Sequence, residues 1–461
     1  MGGAGVGVGV LPGEELHAAR ESAASTAPAR RTVMAPPGEV CVRAPPGLML
    51  VSLRGRVKDG GRRAKRMVSV QPSVSTRAAK PLTLSEATRE RNAWIETGLE
   101  AAVANLQVLR RQFGPGVEII AVVKANAYGH GVAGIAPALQ AAGADRFAVA
   151  WLEEALALRE LGITRPIIVL SHTYPGDAVR AVEHDITLTV HSMELGCALS
   201  AAAAAAGKTA MVHVKVDTGL HRFGVPPEEA VALAESLRSL PGIAVEGLST
   251  HMANADEADD EFSGIQAERF AAVAERLPWV RFRHTANSAT AMRRGGLRYE
   301  GVRLGLSLHG VLPPNTPGPA LTPVLSLKAR LARVADVAPG EGVSYGLTWR
   351  AGRRSRVGLV PVGYADGWKR SLSNRGTVLV GGQRVPVVGR VAMDHFLADV
   401  TEVPGAAEGT EVTLIGEQGN ERIAADEIAA AAETISWDVL ASLGTRLPRL
   451  FHRNGIVEGI A

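Results

Sequence analysis

Apolar and polar positions divide the chain into three stretches of different texture. From Met1 to about Lys80 no apolar period is sustained, and Pro36, Pro37, Pro45 and Pro46 interrupt any regular element. Gly, Ala, Pro, Ser and Arg dominate there, with too little apolar surface to offset the entropy of ordering the chain. A disordered extension over 1–85 is therefore expected. From Thr88 onward Leu99, Val103, Leu106 and Leu109 recur at helical spacing and predict a helix over 92–112. Short β-branched runs follow at 118–123, 147–150, 167–170, 186–190, 211–216, 244–249, 282–286 and 302–304. Ala- and Leu-rich stretches such as 152–161 and 228–239 separate them. Eight strands alternating with helix-length spacers imply an α/β fold with a parallel sheet, and that repeat number fits a closed (β/α)8 TIM-type barrel over 86–325. A doubly wound open sheet is the alternative. Its nucleotide-binding version normally has a glycine-rich turn after the first strand, where this chain has Lys124. Beyond Pro323 strands are expected at 325–335, 356–361, 376–381, 384–388, 396–400 and 411–415, with a helix over 425–443. A mostly-β C-terminal domain over 326–461 follows.

Composition narrows the class. The 461 residues are 46% hydrophobic and 21% charged, which fits a globular body with a sizeable core. No apolar run approaches the roughly 20 residues of a membrane span. The blandest stretch, 201–206, ends at Gly207 and Lys208. The two cysteines, Cys41 and Cys197, have no metal or redox spacing, and Cys41 lies in the extension. A reducing, cytoplasmic location is expected. The net charge of +4 comes from the Arg-rich extension, and the remainder is mildly acidic. Neither nucleic acid nor membrane is expected as a partner. The extension reads most plainly as functionless. A targeting peptide, or a start placed ahead of Met67, are the other readings.

One run carries more chemistry than any other, Ala121-Val-Val-Lys-Ala-Asn-Ala-Tyr-Gly-His-Gly131. A strand ends in Lys124, and barrel active sites lie at strand carboxyl ends. With apolar residues behind it, such a lysine is desolvated and its pKa falls. A Schiff-base lysine needs this, because only the neutral amine attacks a carbonyl. Spacing alone leaves a snorkelling surface lysine equally open. His213 to Gly224, Ser249 to Glu257, Thr285 to Thr290 and Val302 to Ser307 end later strands with further polar groups.

The first of these runs resembles the pyridoxal-phosphate (PLP) attachment signature of the alanine racemases. The other motifs agree in order, so that the resemblance covers roughly Ala93 to Phe451. It implies PLP as cofactor, alanine as substrate, a two-base interconversion of its enantiomers supplying D-alanine for peptidoglycan, and a homodimer sharing each site. Lys124 and Tyr345 are the implied bases, with Tyr345 donated by the partner. Two acid/base groups on opposite faces of a planar centre accomplish inversion. Tyr128, Ser288, Gly305 and Leu306 are implied around the phosphate, and Asn287 as a further cofactor-binding residue. Arg222 is implied at the cofactor oxygen and the substrate carboxylate, which the Met393 N–H would also hold. Carbamylation of Lys215 is implied, to orient Arg222. Arg303 would face the pyridine nitrogen, and His251 would link it to Tyr345. Arginine does not give that nitrogen a proton, so side reactions such as transamination should be suppressed. Asp256, Tyr364 and Arg390 resemble corridor residues, and Asp394 supports them. No metal is implied.

Three positions depart from the pattern: Trp437 and His309 stand where tyrosine is usual, and Gly98 where an acid is common. Trp437 keeps open a serine or broad-specificity racemase. A decarboxylase on the same plan and a non-catalytic PLP-binding protein are further alternatives. Arg303 speaks against the first of these, and the second domain with Tyr345 against the other.

Overall fold

The computed structural model describes residues 82–461. The extension expected over 1–85 lies outside the described residues except for its end. There Thr83 caps a helical turn, Leu84–Thr88, by exchanging bonds with Glu86. Cys41 also lies outside the described residues.

Strand β1 (Ala93–Gly98) comes first and corrects the expected helix over 92–112. The helical period belongs to Leu99–Phe113, which buries Leu99, Leu106, Leu109 and Phe113. Ahead of it Trp94, Ile95 and Thr97 are buried in an extended segment paired on both sides. Tertiary pairing sets that conformation, and local period does not report it.

The barrel strands are β2 (Glu118–Val122), β3 (Arg146–Val149), β4 (Ile167–Val169), β5 (Ile186–Val190), β6 (Ala210–Lys215), β7 (Ile243–Ser249), β8 (Phe282–His284) and β9 (Gly301–Leu304). All eight pair in parallel, in the order β8-β7-β6-β5-β4-β3-β2-β9. The two ends of that order meet through Glu300 N–H to Arg283 O (3.2 Å) and Arg303 N–H to Ala286 O (2.9 Å). Period-two alternation sorts the strand residues into layers. Ile119, Ala121, Phe147, Val149, Ile167 and Val169 pack outward against the helices. Ile120, Val122, Ala148, Ile168 and Phe282 fill the barrel interior below Tyr128.

The second sheet contains β10 (Leu325–Arg330), β11 (Arg333–Val337), β14 (Ser355–Val360), β15 (Thr377–Val380), β16 (Gln383–Val388), β17 (Phe396–Asp399), β18 (Glu411–Gln418), β20 (Arg449–Arg453) and β21 (Ile456–Ile460), with β19 (Glu421–Ile423) against β18. The short ribbon β12 (Gly342–Val343) and β13 (Trp349–Arg350) stands apart. β1 lies inside the larger sheet, antiparallel to β10 and parallel to β20. The fold is thus a (β/α)8 barrel followed by a mostly-β domain. Two expectations are corrected. The strand over 325–335 is two strands, and the helix over 425–443 is two, Ala425–Ala431 and Ser436–Ala441. Glu433 at φ 57° turns the chain between the helices.

Candidate active site

β2 delivers Lys124 to the barrel mouth. Val123 N–H makes the last bond to the sheet, to Ala148 O at 2.9 Å, and Lys124 lies half-buried just beyond. The following segment is not an open loop. Ala125, Asn126, Ala127 and Tyr128 form a left-handed turn with φ of 52°, 54°, 53° and 53°. This conformation costs L-residues about 1–2 kcal/mol each, and the surroundings hold it in place. Asn126 Oδ1 accepts from Val132 N–H (2.8 Å), Glu154 Oε1 from Ala125 N–H (2.6 Å), and Gly129 O from Arg449 Nε–H (2.8 Å). Glu154 Oε2 also accepts from Ala150 N–H at 2.8 Å, so one carboxylate joins the ends of β2 and β3.

Two adjoining cavities of about 230 and 410 Å³ open over this turn. Lys124, Arg222, His251 and Arg303 line both. Lys215 lines the deeper one; Tyr128, Asn287, Ser288, Gly305, Leu306 and Trp437 line the wider one. Burial, and the positive charge of Arg222 and Arg303, lower the Lys124 pKa against the opposing pull of Glu154. Lys215 is held well below its ordinary value by burial, then by Arg303 and Arg222, with Asp217 opposing. Both amines are therefore biased toward the neutral, nucleophilic form.

Arg303 is buried, and both terminal nitrogens are committed. Nη1 donates to His284 Nδ1 (2.9 Å) and His284 O (2.6 Å). Nη2 donates to Thr250 O (2.9 Å), Thr285 O (2.8 Å) and His251 Nδ1 (3.1 Å). Burial and Arg222 lower its pKa to about 10, so it stays a cation at neutral pH. Since arginine only donates, His251 carries its proton on Nε2. Burial, then Arg303, Lys215, Arg222 and Lys124, hold the His251 pKa well below 6.5.

Beside these cations lies a small polar cradle. Ser288 Oγ stands 3.0 Å from Ser307 Oγ and 3.4 Å from Gly305 N. A Cβ on Gly305 would sit 2.3 Å from the Tyr128 hydroxyl, so only glycine fits there. Asn287 Oδ1 is occupied in capping Ser288–Arg293 through Thr290 N–H at 2.9 Å. A cation-rich hollow beside hydroxyls and a bare backbone suits an anionic cofactor with a phosphate and a carbonyl. PLP fits the residues present.

Tyr345 and Met393 do not join this group within the chain. They are 72% and 53% exposed on the β domain and line neither cavity. They belong to a second patch. Ser344 Oγ–H donates to Arg390 O (2.6 Å), and Tyr364 and Ala365 N–H donate to Ala392 and Met393 O, both at 3.0 Å. Arg446 secures the base of the patch by pairing with Asp366 and Asp394. Asp256 lines the wider cavity.

Glu154, His284, His213 and Glu246 escaped the sequence reading. Their contacts join different strands, so spacing along the chain carries no trace of them.

A parallel barrel bearing a lysine of lowered pKa, a cation-rich mouth and a polar cradle is the arrangement of a barrel enzyme with room for an anionic carbonyl cofactor. Comparison with known proteins agrees. The family models "Alanine racemase, N-terminal domain" and "Alanine racemase, C-terminal domain" match residues 98–313 and 324–451. The alanine racemase of Desulfovibrio desulfuricans is 43% identical over 78% of this chain and 98% of its own. That of Halothermothrix orenii is 40% identical over 78% and 96%. Among solved structures, alanine racemase from Bacillus anthracis with bound L-Ala-P is 38% identical, with a TM-score of 0.75 over 80% of this chain and 97% of that one. The Bartonella henselae enzyme with covalently bound pyridoxal phosphate is 29% identical, with a TM-score of 0.72 over 78% and 99%. The chain belongs to the alanine racemase family, whose members are PLP-dependent isomerases.

Proposed function

We propose that this protein interconverts L- and D-alanine with PLP held on Lys124, in a homodimer whose sites are completed by Tyr345 of the other copy. The observation that carries this reading is the placement of Lys124 at the end of β2, among Arg222, Arg303 and the Gly305 cradle. When bound, the cofactor supplies the electron sink that makes an amino acid's α-proton acidic. Tyr128, Ser288, Gly305 and Leu306 would hold its phosphate, with Asn287 capping the helix that begins at Ser288. Arg303 would face its ring nitrogen through Nε–H, the donor left once both Nη groups are committed. Arg222 orients the substrate carboxylate, and Met393 N–H from the second patch holds it. Lys124, its pKa lowered by burial and Arg222, takes or returns the proton on one face. Tyr345 serves the other, and the Nε2–H of His251 steadies its phenolate. Lys215, its pKa held well below the ordinary value by burial and two guanidiniums, would add carbon dioxide with release of one proton to solvent, and the resulting carbamate would balance Arg222. Domain limits of 86–325 and 326–461, with β1 crossing into the second sheet, and a cytoplasmic location complete the reading.

Purified protein supplied with PLP and either alanine enantiomer in deuterium oxide tests it. Deuterium at the α-carbon of both enantiomers is expected, together with a visible absorbance band that Lys124→Ala abolishes. Cofactor binding with no exchange would leave a PLP-binding protein instead. Faster turnover of serine than of alanine would shift the reading to a racemase of different specificity, the alternative that Trp437 in the cavity wall keeps open.

A further inference from the structure

Beneath the cavity, the barrel interior holds an unbroken line of polar side chains. Arg303 Nη1 lies 2.9 Å from His284 Nδ1, His284 Nε2 lies 2.8 Å from His213 Nδ1, and His213 Nε2 lies 3.0 Å from Glu246 Oε2. The other Glu246 oxygen accepts from Arg146 at 2.8 Å, and Arg146 reaches Glu118 at 2.6 Å. The Arg146 guanidinium lies 4.1 Å above the Phe282 ring. His213 and His284 are fully enclosed on β6 and β8. They meet across β7 because Gly247 lies between them. A Cβ there would stand 2.6 Å from the His213 ring.

The line has one consistent proton arrangement. Arginine can only donate, so His284 Nδ1 accepts and its proton is on Nε2. That proton points at His213 Nδ1, which must accept, so His213 also carries its proton on Nε2. This last proton meets the Glu246 carboxylate, which can only accept when ionised. The two ends demand the same direction. Protonating either ring at its other nitrogen would set two N–H groups against each other. Arg303 itself has no carboxylate partner among the described residues.

We infer that Glu246 is the remote counter-charge of Arg303, acting through His213 and His284 as a positioning residue that keeps Arg303 oriented as a donor toward the cofactor ring. This rests on the proposed reading of Arg303, and it adds Glu246, His213 and Gly247 to the residues the reaction depends on. A polarised chain of this kind strengthens each of its bonds and ties the guanidinium plane to the barrel wall. Charge reaches Arg303 without a carboxylate approaching the pyridine nitrogen, where an acid could share a proton with it.

The test is side-chain nitrogen NMR of the PLP-loaded protein carrying 15N-histidine, with His213→Gln and His284→Gln used for assignment. Both rings are expected as Nε2–H tautomers, with a hydrogen-bond coupling between His284 Nε2 and His213 Nδ1. Glu246→Gln, which keeps the shape and removes the charge, is expected to broaden or shift both ring signals and displace the visible band of the cofactor. It should lower kcat about tenfold, with KM for alanine little changed. Gly247→Ala, which pushes the His213 ring aside and leaves Glu246 in place, should reproduce the spectral change. An Nδ1–H or doubly protonated ring in the unsubstituted protein overturns the inference. So do ring signals and a cofactor band that Glu246→Gln leaves unmoved, even if stability falls. Failure of Lys124→Ala to remove the band would instead strike the reading of the site and leave the relay standing.

Discussion

At the scale of single residues, the site depends on what is small and what is wide. Gly305 leaves the Tyr128 hydroxyl in place, and a methyl group would collide with it at 2.3 Å. We predict that Gly305→Ala folds but weakens PLP binding about tenfold or more, in line with an overpacking cost of about 1–3 kcal/mol. Titrating PLP into cofactor-free protein while following absorbance measures this, and unchanged affinity would remove Gly305 from the cradle. Trp437 also lines the wider cavity and packs against the Tyr128 cluster. Trp437→Ala should raise serine turnover relative to alanine, within the roughly 1–3 kcal/mol by which pockets separate such close substrates. Competition between the two amino acids gives the ratio directly. An unaltered ratio would place specificity elsewhere in the wall.

At the scale of elements, the left-handed turn after β2 sets where Lys124 and Tyr128 point. Four consecutive residues at positive φ are held there by bonds from Asn126, Glu154 and Arg449. Of the four, only Asn126 is of a type that tolerates this region well. Asn126→Ala loses both that tolerance and the bond to Val132 N–H. It should cost about 1–2 kcal/mol in urea unfolding of cofactor-free protein. A midpoint equal to that of the parent would show that Glu154 and Arg449 suffice. The run 121–131 was readable as a strand ending in a lysine and a glycine-bearing turn. Its handedness was not, because it is held by groups distant in sequence, Glu154 on Ala125 N–H at a separation of 29 residues and Arg449 on Gly129 O at 320. The expected helix at 92–112 failed for the same reason. Trp94 and Ile95 suit a helix as well as a strand, and pairing to β10 and β20 decides.

For the whole molecule, the buried histidines set the response to acid. Burial pushes the His130 pKa from 6.5 down to about 4, although the carbonyls of Tyr128 and Ala127 oppose the shift. Burial likewise lowers His213, His251, His284 and His309. Where the folded pKa lies below the unfolded one, only the unfolded chain takes up the proton in the interval between them. Stability should therefore be level above about pH 7 and fall as pH drops from 6.5 toward 4, with His130 alone accounting for about 3 kcal/mol. Urea midpoints across that range check it, and a midpoint independent of pH would contradict the burial of these rings. The second prediction at this scale concerns assembly. If Tyr345 completes the site of another copy, inactive Lys124→Ala and inactive Tyr345→Phe proteins should regain activity when unfolded and refolded together. No recovery, with mixed dimers confirmed by mass, would place Tyr345 outside the shared site.

Much was determined by the sequence alone. The alternation of β-branched runs with Ala- and Leu-rich spacers sufficed for a parallel α/β fold, since each run must be buried on both faces and each spacer must cover it, and the count of eight favoured a closed barrel over an open sheet. Lys124 could be singled out from its place at a strand's carboxyl end, where barrel active sites lie, whereas Arg222, His251, Ser288, Arg303 and Gly305 owed their roles to the resemblance of their motifs to a known family. Only the tertiary structure decided which side chains face each other across the barrel. The Arg303–His284–His213–Glu246 line joins β9, β8, β6 and β7, and the gap left by Gly247 exists only when those strands lie side by side. Such contacts depend on distance in space, which a one-dimensional pattern of hydrophobic and polar positions does not encode.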